Sequence, residues 1–462
     1  MGVKLLAALL STGLAVPAFA ADDLAALKSE LARLAERIAA LERQNAEMEK
    51  ALASERLSEK EPEVITRLKA VEFQTLSMQK QARQVEALEG VSVGASITGI
   101  AQKVSHGGTP SRERESRANY RGDLSVTLPG GEMGDIEGKI FTHLRFGQGN
   151  GVGLKPTYTS TPNTLAFQKA EGPDDSFAIL AQAWYQLKMS LPRDGVKADS
   201  REHLHLTFGK IDPFVFFDQN AAADDESAKF LNNVFVHNPL LDSGGDIGAD
   251  AYGFAPGVIF QYVNEQQKGS EWMLSLGVFG SGPGANFSGS LSAPLVIAQA
   301  ETRARFNHLP GNYRVYLWQN GRAPGYAGVE RRHAGIGASV DQKVADDLTL
   351  FGRYGQQFKG QVKFDRAMTV GAELAGSDWG RAADGLGLAL GALRTSSDYR
   401  ADSLALASYP AGGWEKQAEL YYRYKVNSKF ELTPDFQLIQ RPAGIGGTQS
   451  IRVIGLRTKV GI

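Results

Sequence analysis

The chain has 462 residues with 52 Gly, 18 Pro, no Cys and 42% hydrophobic content. It is long enough for a sizeable core, and it excludes disulfide-stapled and Cys-ligated metal folds. Its 50 Lys and Arg against 51 Asp and Glu leave a formal net charge of -1, so there is no global attraction to nucleic acid or anionic lipid, and nucleic acid is not expected as a partner.

The first element is an address. Lys4 gives a positive start, Leu5 to Val16 form a short apolar run, and Ala18-Phe19-Ala20 is a small-x-small cleavage site, so residues 1–20 read as a secretory signal peptide. The run is too short to cross roughly 30 Å of hydrocarbon. Beyond it no stretch of about 18 uncharged apolar residues occurs, so no spanning helix is expected. The remainder is then either soluble outside the cytoplasm or a barrel.

Residues 21–89 read as an α-helical coiled coil. Leu24, Leu27, Leu31, Leu34, Ile38, Leu41, Met48 and Leu52 step alternately by three and four residues, with Asn45 the polar member of the seam. So narrow a stripe is buried by self-association, and Asn45 would fix register and strand number. Pro62 breaks the phase, and a more polar seam follows at Val64, Leu68, Val71, Thr75, Met78, Ala82 and Val85. The alternative is a single helix lying along the rest of the protein. Gly90 ends the helical composition.

From there the period changes from 3.5 to 2, and an all-β region is expected over 90–462. The candidate strands are 91–104, 120–128, 135–146, 177–190, 203–210, 255–263, 272–279, 297–306, 313–320, 332–343, 347–355, 362–375, 384–395, 415–426, 429–439 and 449–461. Sixteen is an even number, and the odd connections are several-fold longer than the even ones, the asymmetry of outer-membrane barrels. In 139–146, Ile140, Thr142, Leu144 and Phe146 share one face, while Lys139, Phe141, His143 and Arg145 share the other. In 418–426, Ala418, Leu420, Tyr422, Tyr424 and Val426 oppose Glu419, Tyr421, Arg423 and Lys425. A soluble sandwich also alternates, so alternation alone does not choose. The leader peptide, strand length, absent Cys and aromatic residues near strand ends favour a closed membrane sheet. A secreted propeller or solenoid is the rival, but no internal repeat of the needed period is present.

Several spaced motifs narrow this further. Phe208-Gly209-Lys210-Ile211-Asp212, Phe216-Phe217-Asp218-Gln219-Asn220, Asp224-Asp225-Glu226 and Phe230-Leu231-Asn232-Asn233 together resemble the central signature of the carbohydrate-selective porin family of Gram-negative outer membranes. Gly311-Asn312-Tyr313-Arg314, the run 384–389 and the run 432–437 are also similar to that family. The resemblance implies a sixteen-stranded barrel passing sugars and other small solutes by diffusion. A homotrimer set in outer-membrane lipid is expected. The segment 21–89 departs from the barrel signature and looks like the periplasmic coiled coils of porins that touch the cell wall, so peptidoglycan or a wall-associated protein is a candidate partner. The chain ends in Val460-Gly461-Ile462 where such barrels end in an aromatic residue; Ile462 is expected on the lipid face with Ile454, Leu456 and Val460.

A channel works through its width and lining. By analogy with sixteen-stranded porins, the long connection 211–254 is expected to fold inward, bringing Asp212, Asp218, Asp224, Asp225 and Glu226 to one side of the lumen. Strand parity places Arg145, Arg314, Arg353, Arg423, Lys425, Arg457 and Lys459 on the lumen wall. Acid facing base across a wet bore would create a transverse field favouring polar solutes. Tyr316, Trp318 and Tyr421 are the candidate rings for stacking on sugars.

Other signals stay bland. His203 and His205 share a strand face, but a third ligand is not evident, so no metal site and no cofactor are expected. Asn286-Phe287-Ser288 matches a glycosylation acceptor by chance, and the Gly-rich run 280–284 has no helix behind it. HExxH, GxSxG, Walker A and EF-hand patterns are missing, so an enzyme is not expected. Two rival functions remain: a general or ion-preferring channel without a sugar site, and an envelope tether acting through the coiled coil.

Overall fold

The computed structural model describes residues 90–461 apart from 106–107, 110, 159–160, 167–174, 192–199, 242–252 and 282–291, together with positions 39, 40, 43 and 46, which are helical. The leader, the seam from Leu24 to Leu52, the second seam and Ile462 lie outside the described residues. Residues 90–462 form a compact unit of their own.

That unit is one closed sheet. Its strands are β1 (Ser92–Val104), β2 (Glu115–Met133), β3 (Ile136–Gln148), β4 (Ser176–Leu191), β5 (Glu202–Ile211), β6 (Ala255–Asn264), β7 (Trp272–Phe279) and β8 (Leu295–Phe306). Then come β9 (Leu309–Pro324), β10 (Glu330–Lys343), β11 (Leu348–Lys359), β12 (Phe364–Gly376), β13 (Arg381–Thr395), β14 (Trp414–Lys425), β15 (Phe430–Gln440) and β16 (Ile451–Gly461). Each pairs antiparallel with its chain neighbours, and β1 closes on β16 from Ser96↔Gly461 to Val104↔Val453. Closure leaves no edge strand, so backbone donors and acceptors are paired without water. All sixteen expected segments are strands. The expected ranges 120–128 and 313–320 fall short of β2 and β9 because pairing continues into the rims, where lipid no longer imposes the alternating pattern.

The orientation of the two faces decides between sandwich and membrane barrel. In β9, Val315 is 57% and Leu317 59% exposed, whereas Arg314, Tyr316 and Trp318 between and beside them are at most 5% exposed. The same inversion holds around the barrel. Leu144, Phe260, Val370, Leu420, Ile454 and Leu456 point out, while Thr98, Gln102, Gln299, Thr369, Gln417, Glu419 and Gln437 are buried inside. A soluble sandwich buries the apolar set and exposes the polar one. Here the apolar set is the outer wall, as lipid requires. Among the described residues no helix is long and apolar enough to cross a membrane.

Short turns gather at one end of the cylinder and long connections at the other. Between β8 and β9 the turn is Asn307-His308, both with positive φ (49° and 67°), a conformation that matches the right-handed twist of a tight hairpin. From the opposite end spring the connections that follow β3, β5, β7, β13 and β15. The fourth of these carries a helix, Ser397–Ala407, started by Ser396, whose hydroxyl accepts from the Tyr399 amide.

One part of the inner wall departs from polar lining. Ile259, Phe279, Ile297, Tyr316, Trp318, Phe351, Ala389, Leu393 and Tyr421 are buried there with Phe217, Phe230, Val234, Phe235, Leu240 and Leu241 of the connection 212–254. A hydrophobic core therefore sits inside the bore, between that connection and the wall.

The outward role of the β9 apolar residues has a measurable consequence. Leu317→Arg, near the middle of β9, is expected to destabilise the barrel by about 2–4 kcal/mol in denaturant titrations in phospholipid vesicles. An equal or greater stability would show that this face does not contact hydrocarbon.

Candidate functional site

The chain turns inward at the end of β5. Gly209 has φ 140°, and a Cβ there would strike the Ala183 carbonyl and the Trp184 Cα, so this close backbone approach requires glycine. Lys210 follows, its Nζ 5.8 Å from the Phe254 ring, which Arg145 also covers at 5.2 Å. Asp212 caps the single turn Pro213–Val215 by accepting from the Phe214 amide (3.0 Å), and its own amide donates to Gln182 Oε1 on β4 (3.4 Å).

Asp218 is the central anchor. Its carboxylate accepts from Tyr316 OH (2.8 Å) and the Asn238 amide (2.6 Å) and pairs with Arg353 Nε (3.1 Å) on β11. Both charges are buried, and Arg353 also donates to the carbonyls of Phe235 (2.8 Å) and Asp218 (3.1 Å). The Asp218 amide donates to Gln299 Oε1 of β8 (2.9 Å). A buried pair is tolerable only when its remaining donors and acceptors are met in this way. Beside it, Phe217 packs edge-on against Phe279, with 6.0 Å between ring centroids.

Further along, Asn220 Nδ2 donates to Ser339 Oγ (3.2 Å) and the Val340 carbonyl (3.1 Å) of β10. Phe230 packs edge-on against Tyr421, centroids 4.9 Å apart. The amides of Leu231 (2.5 Å) and Asn232 (2.9 Å) donate to Glu419 of β14, and Asn232 Nδ2 donates to Gln437 Oε1 of β15 (3.1 Å). Arg457 of β16 donates to the carbonyls of Glu226 (3.0 Å) and Lys229 (2.6 Å), and Lys459 Nζ to Ser227 Oγ (2.6 Å). Residues 212–241 thus cross the bore and are tied to strands on several sides of it.

The acids do not act as expected from a distance; they touch their partners. Glu226 pairs with Arg121 (2.7 Å), which also holds Asp123 (2.8 Å), and Asp123 in turn takes His143 and Arg145, both at 2.9 Å. Burial alone would push the Glu226 carboxyl up, but the guanidinium groups of Arg121 and Arg145 outweigh it and hold it down at about 2. Asp224 accepts from the Asn220 amide (3.2 Å) and Asp225 from the amide and hydroxyl of Ser227 (2.9 and 2.6 Å). Burial pushes the carboxyls of Asp212 and Asp224 up.

The expected basic residues divide into two groups. Arg314 is buried between Glu301 (3.0 Å) and Asp341 (2.9 Å), and Arg353 and Arg457 are buried against the loop, so all three serve the frame. Arg145 stays half-buried beside the passage; Arg423 pairs with Glu373 (3.2 Å), and Lys425 with Glu431 (3.2 Å). Tyr316, Trp318 and Tyr421 are not open to solute. Tyr316 and Trp318 lie across Gly337 and Gly335 of β10, all three rings are at most 2% exposed, and loop residues cover them. A ring without a free face cannot stack on a sugar. His203 and His205 have ring centroids 6.2 Å apart on β5, and among the described residues no group of three metal-ligating side chains occurs.

A second inward segment was not legible in the sequence. The Pro162 carbonyl accepts from Gln102 (3.0 Å) and Gln437 (2.8 Å), Asn163 donates to Asn119 (2.8 Å), and Thr164 donates through its amide and hydroxyl to the Leu231 carbonyl (2.9 and 2.8 Å). The Tyr158 amide donates to Glu415 of β14 (2.9 Å), which also accepts from the Ala443 amide (2.6 Å). The run of Thr, Pro and Asn over 155–164 has no periodicity to betray these contacts. Its only cue is the excess of Asn and Gln on strand faces that should line open water.

Two outcomes test this geometry. Arg353→Ala leaves Asp218 buried without its cation, so the loop should loosen, giving larger unitary conductance and more open-channel noise in planar bilayers. Unchanged currents would show that the pair does not hold the loop. Because Glu226 titrates below its ordinary 4.5, its hold on the loop is complete above that value and lost as pH falls through about 2. Wild-type noise should therefore stay constant from about pH 8 to about pH 5, whereas Glu226→Gln should be noisy throughout.

Comparison with known proteins adds three findings. Residues 65–461 match the family described as carbohydrate-selective porin, OprB family. The high-pH structure of Pseudomonas putida OprB is similar at 18% identity and TM-score 0.66, over 82% of this chain and 96% of that one. The outer membrane channel DcaP of Acinetobacter baumannii is similar at 12% identity and TM-score 0.50, over 80% of this chain and 97% of that one. At such identities the structural likeness is one of fold. No curated protein matches the chain.

Proposed function

The chain belongs to the carbohydrate-selective porin family, and from that premise we propose that selection is made where residues 212–241 narrow the barrel, between the half-buried charges left on the wall. It is an outer-membrane porin for passive diffusion of small polar solutes, carbohydrates among them. The observation that carries the proposal is the lashing of one loop across the bore by Asp218, Asn220, Glu226 and Asn232, which fixes the width a solute meets.

No bond is made or broken in this scheme, and the protein is not an enzyme. Arg145, Arg423 and Lys425, with Asp123, Glu226, Glu373 and Glu431 as counter-charges, offer donors and acceptors to hydroxyl-rich solutes. Mixed charge of both signs holds ordered water that an apolar solute would have to displace without return. Fixed width and mixed charge together favour neutral polar molecules of sugar size.

The assembly is a homotrimer, and residues 21–89 are its periplasmic coiled coil, reaching peptidoglycan or a wall-associated protein. The support is the heptad seam around Asn45, whose narrow stripe needs partner helices.

Liposomes containing the purified protein should pass neutral sugars at rates that fall steeply from pentose to disaccharide, with matched anions no faster. Arg423→Ala should alter sugar rates, and deleting 22–88 should lower the oligomer mass in detergent while leaving flux intact. Equal rates for all sugar sizes would remove the loop as the selecting element.

A further inference from the structure

Resting on the sugar-porin reading, we propose that a pyranose rides on two rings the sequence pattern did not single out, Phe141 on the wall and Phe214 on the loop. Lys139, Arg145 and Asp212 take its hydroxyls. The rings first expected to stack are covered, so a stacking surface must be sought among inward rings that stay partly exposed.

Phe141 is such a ring. It is half-buried on the inner face of β3, in the inward column Lys139, Phe141, His143 and Arg145. Trp184 of β4 lies behind it, stacked with centroids 4.8 Å apart and planes 27° apart, and Phe216 braces Trp184 edge-on at 5.8 Å. Phe214 is the second. It is half-buried and stacked on His237, with centroids 3.7 Å and planes 8° apart. Both rings pack on the rim of the same inner core. Each is stacked on a partner ring, so little conformational freedom is lost when a ligand packs on the part that stays exposed.

Charge surrounds them. Lys139 is exposed, its Nζ 5.2 Å from the Trp184 ring; Arg145 is half-buried; and Asp212 caps the turn that carries Phe214. A phenyl ring in a wet, charged column exposes apolar area at a cost, which a ligand with one apolar face would recover. A pyranose has that shape: its C–H bonds form an apolar face, and its hydroxyls spread sideways to donors and acceptors. An open-chain polyol with the same number of carbons has the hydroxyls but no flat face. The strip should therefore distinguish ring from chain, which width alone cannot do.

The test uses the full-length protein in planar bilayers, with glucose and sorbitol as probes of ion-current block and liposome swelling to report flux. Phe141→Leu and Phe214→Leu keep apolar volume but remove the flat face. Each should raise the half-blocking glucose concentration by about 3- to 10-fold, the range a ring contact supplies, while sugar-free conductance and sorbitol flux stay unchanged. Phe141→Tyr should retain glucose block. Should Phe141→Leu fail to assemble, Phe214→Leu, which alters no strand, carries the test alone. If wild type is blocked by glucose and both Leu variants are blocked equally well, the strip is wrong and the porin reading stands. Parallel loss of glucose and sorbitol passage would mark the rings as merely structural and overturn the strip. If wild type neither passes nor is blocked by glucose, the sugar reading itself fails and the strip with it.

Discussion

A polypeptide in hydrocarbon must pair every backbone N–H and C=O within itself, and the closed ladder from β1 to β16 is how this chain does so. That constraint spends the backbone of each strand on the wall and leaves only side chains to make function. Half of those face lipid and are interchangeable apolar groups. The other half face the bore, and all selectivity has to be built from them and from the connections that fold back among them.

The wall solves a second problem that closure creates. A cylinder of sixteen strands encloses more space than its side chains fill, so something else must enter it. Residues 212–241 enter by being treated as a small globular body: they bury Phe217, Phe230 and Phe235 against Tyr316, Phe351 and Tyr421, as a soluble core would. Around this greasy seat stand polar ties such as Asp218 with Arg353 and Asn232 with Gln437. The hydrophobic area gives the loop its hold, and the buried charges, which gain little net stability from pairing, fix its place. The signature residues Gly209, Asp212, Phe217, Asp218, Asn220, Phe230 and Asn232 are each accounted for as turn, cap, core or tie within this seat.

The wall was legible from the sequence because lipid imposes a strict period of two, so Val315 and Leu317 announce their face without knowledge of any neighbour. The seat was not. Asp218 meets Tyr316 and Arg353, and Leu231 meets Glu419, across separations that no local pattern encodes. Parity placed Tyr316, Trp318 and Tyr421 on the inner face, which is where they lie, yet it could not show that a loop would cover them. The acids of 212–226 were read as facing bases across water; contact with Arg121 and Arg353 replaced that field with short bonds. Around Tyr158 and Pro162 the sequence offers mostly turn-forming and small polar residues, and their hold depends on acceptors and donors from β1, β2, β14 and β15.

Strand β14 stands near the end of the chain, yet its inward Glu415 and Glu419 receive the amides of Tyr158, Ala443, Leu231 and Asn232. Three separate connections therefore share one strand as their acceptor. Without it neither inward segment keeps its full set of partners, so the contents of the bore depend on the closure of the wall around them.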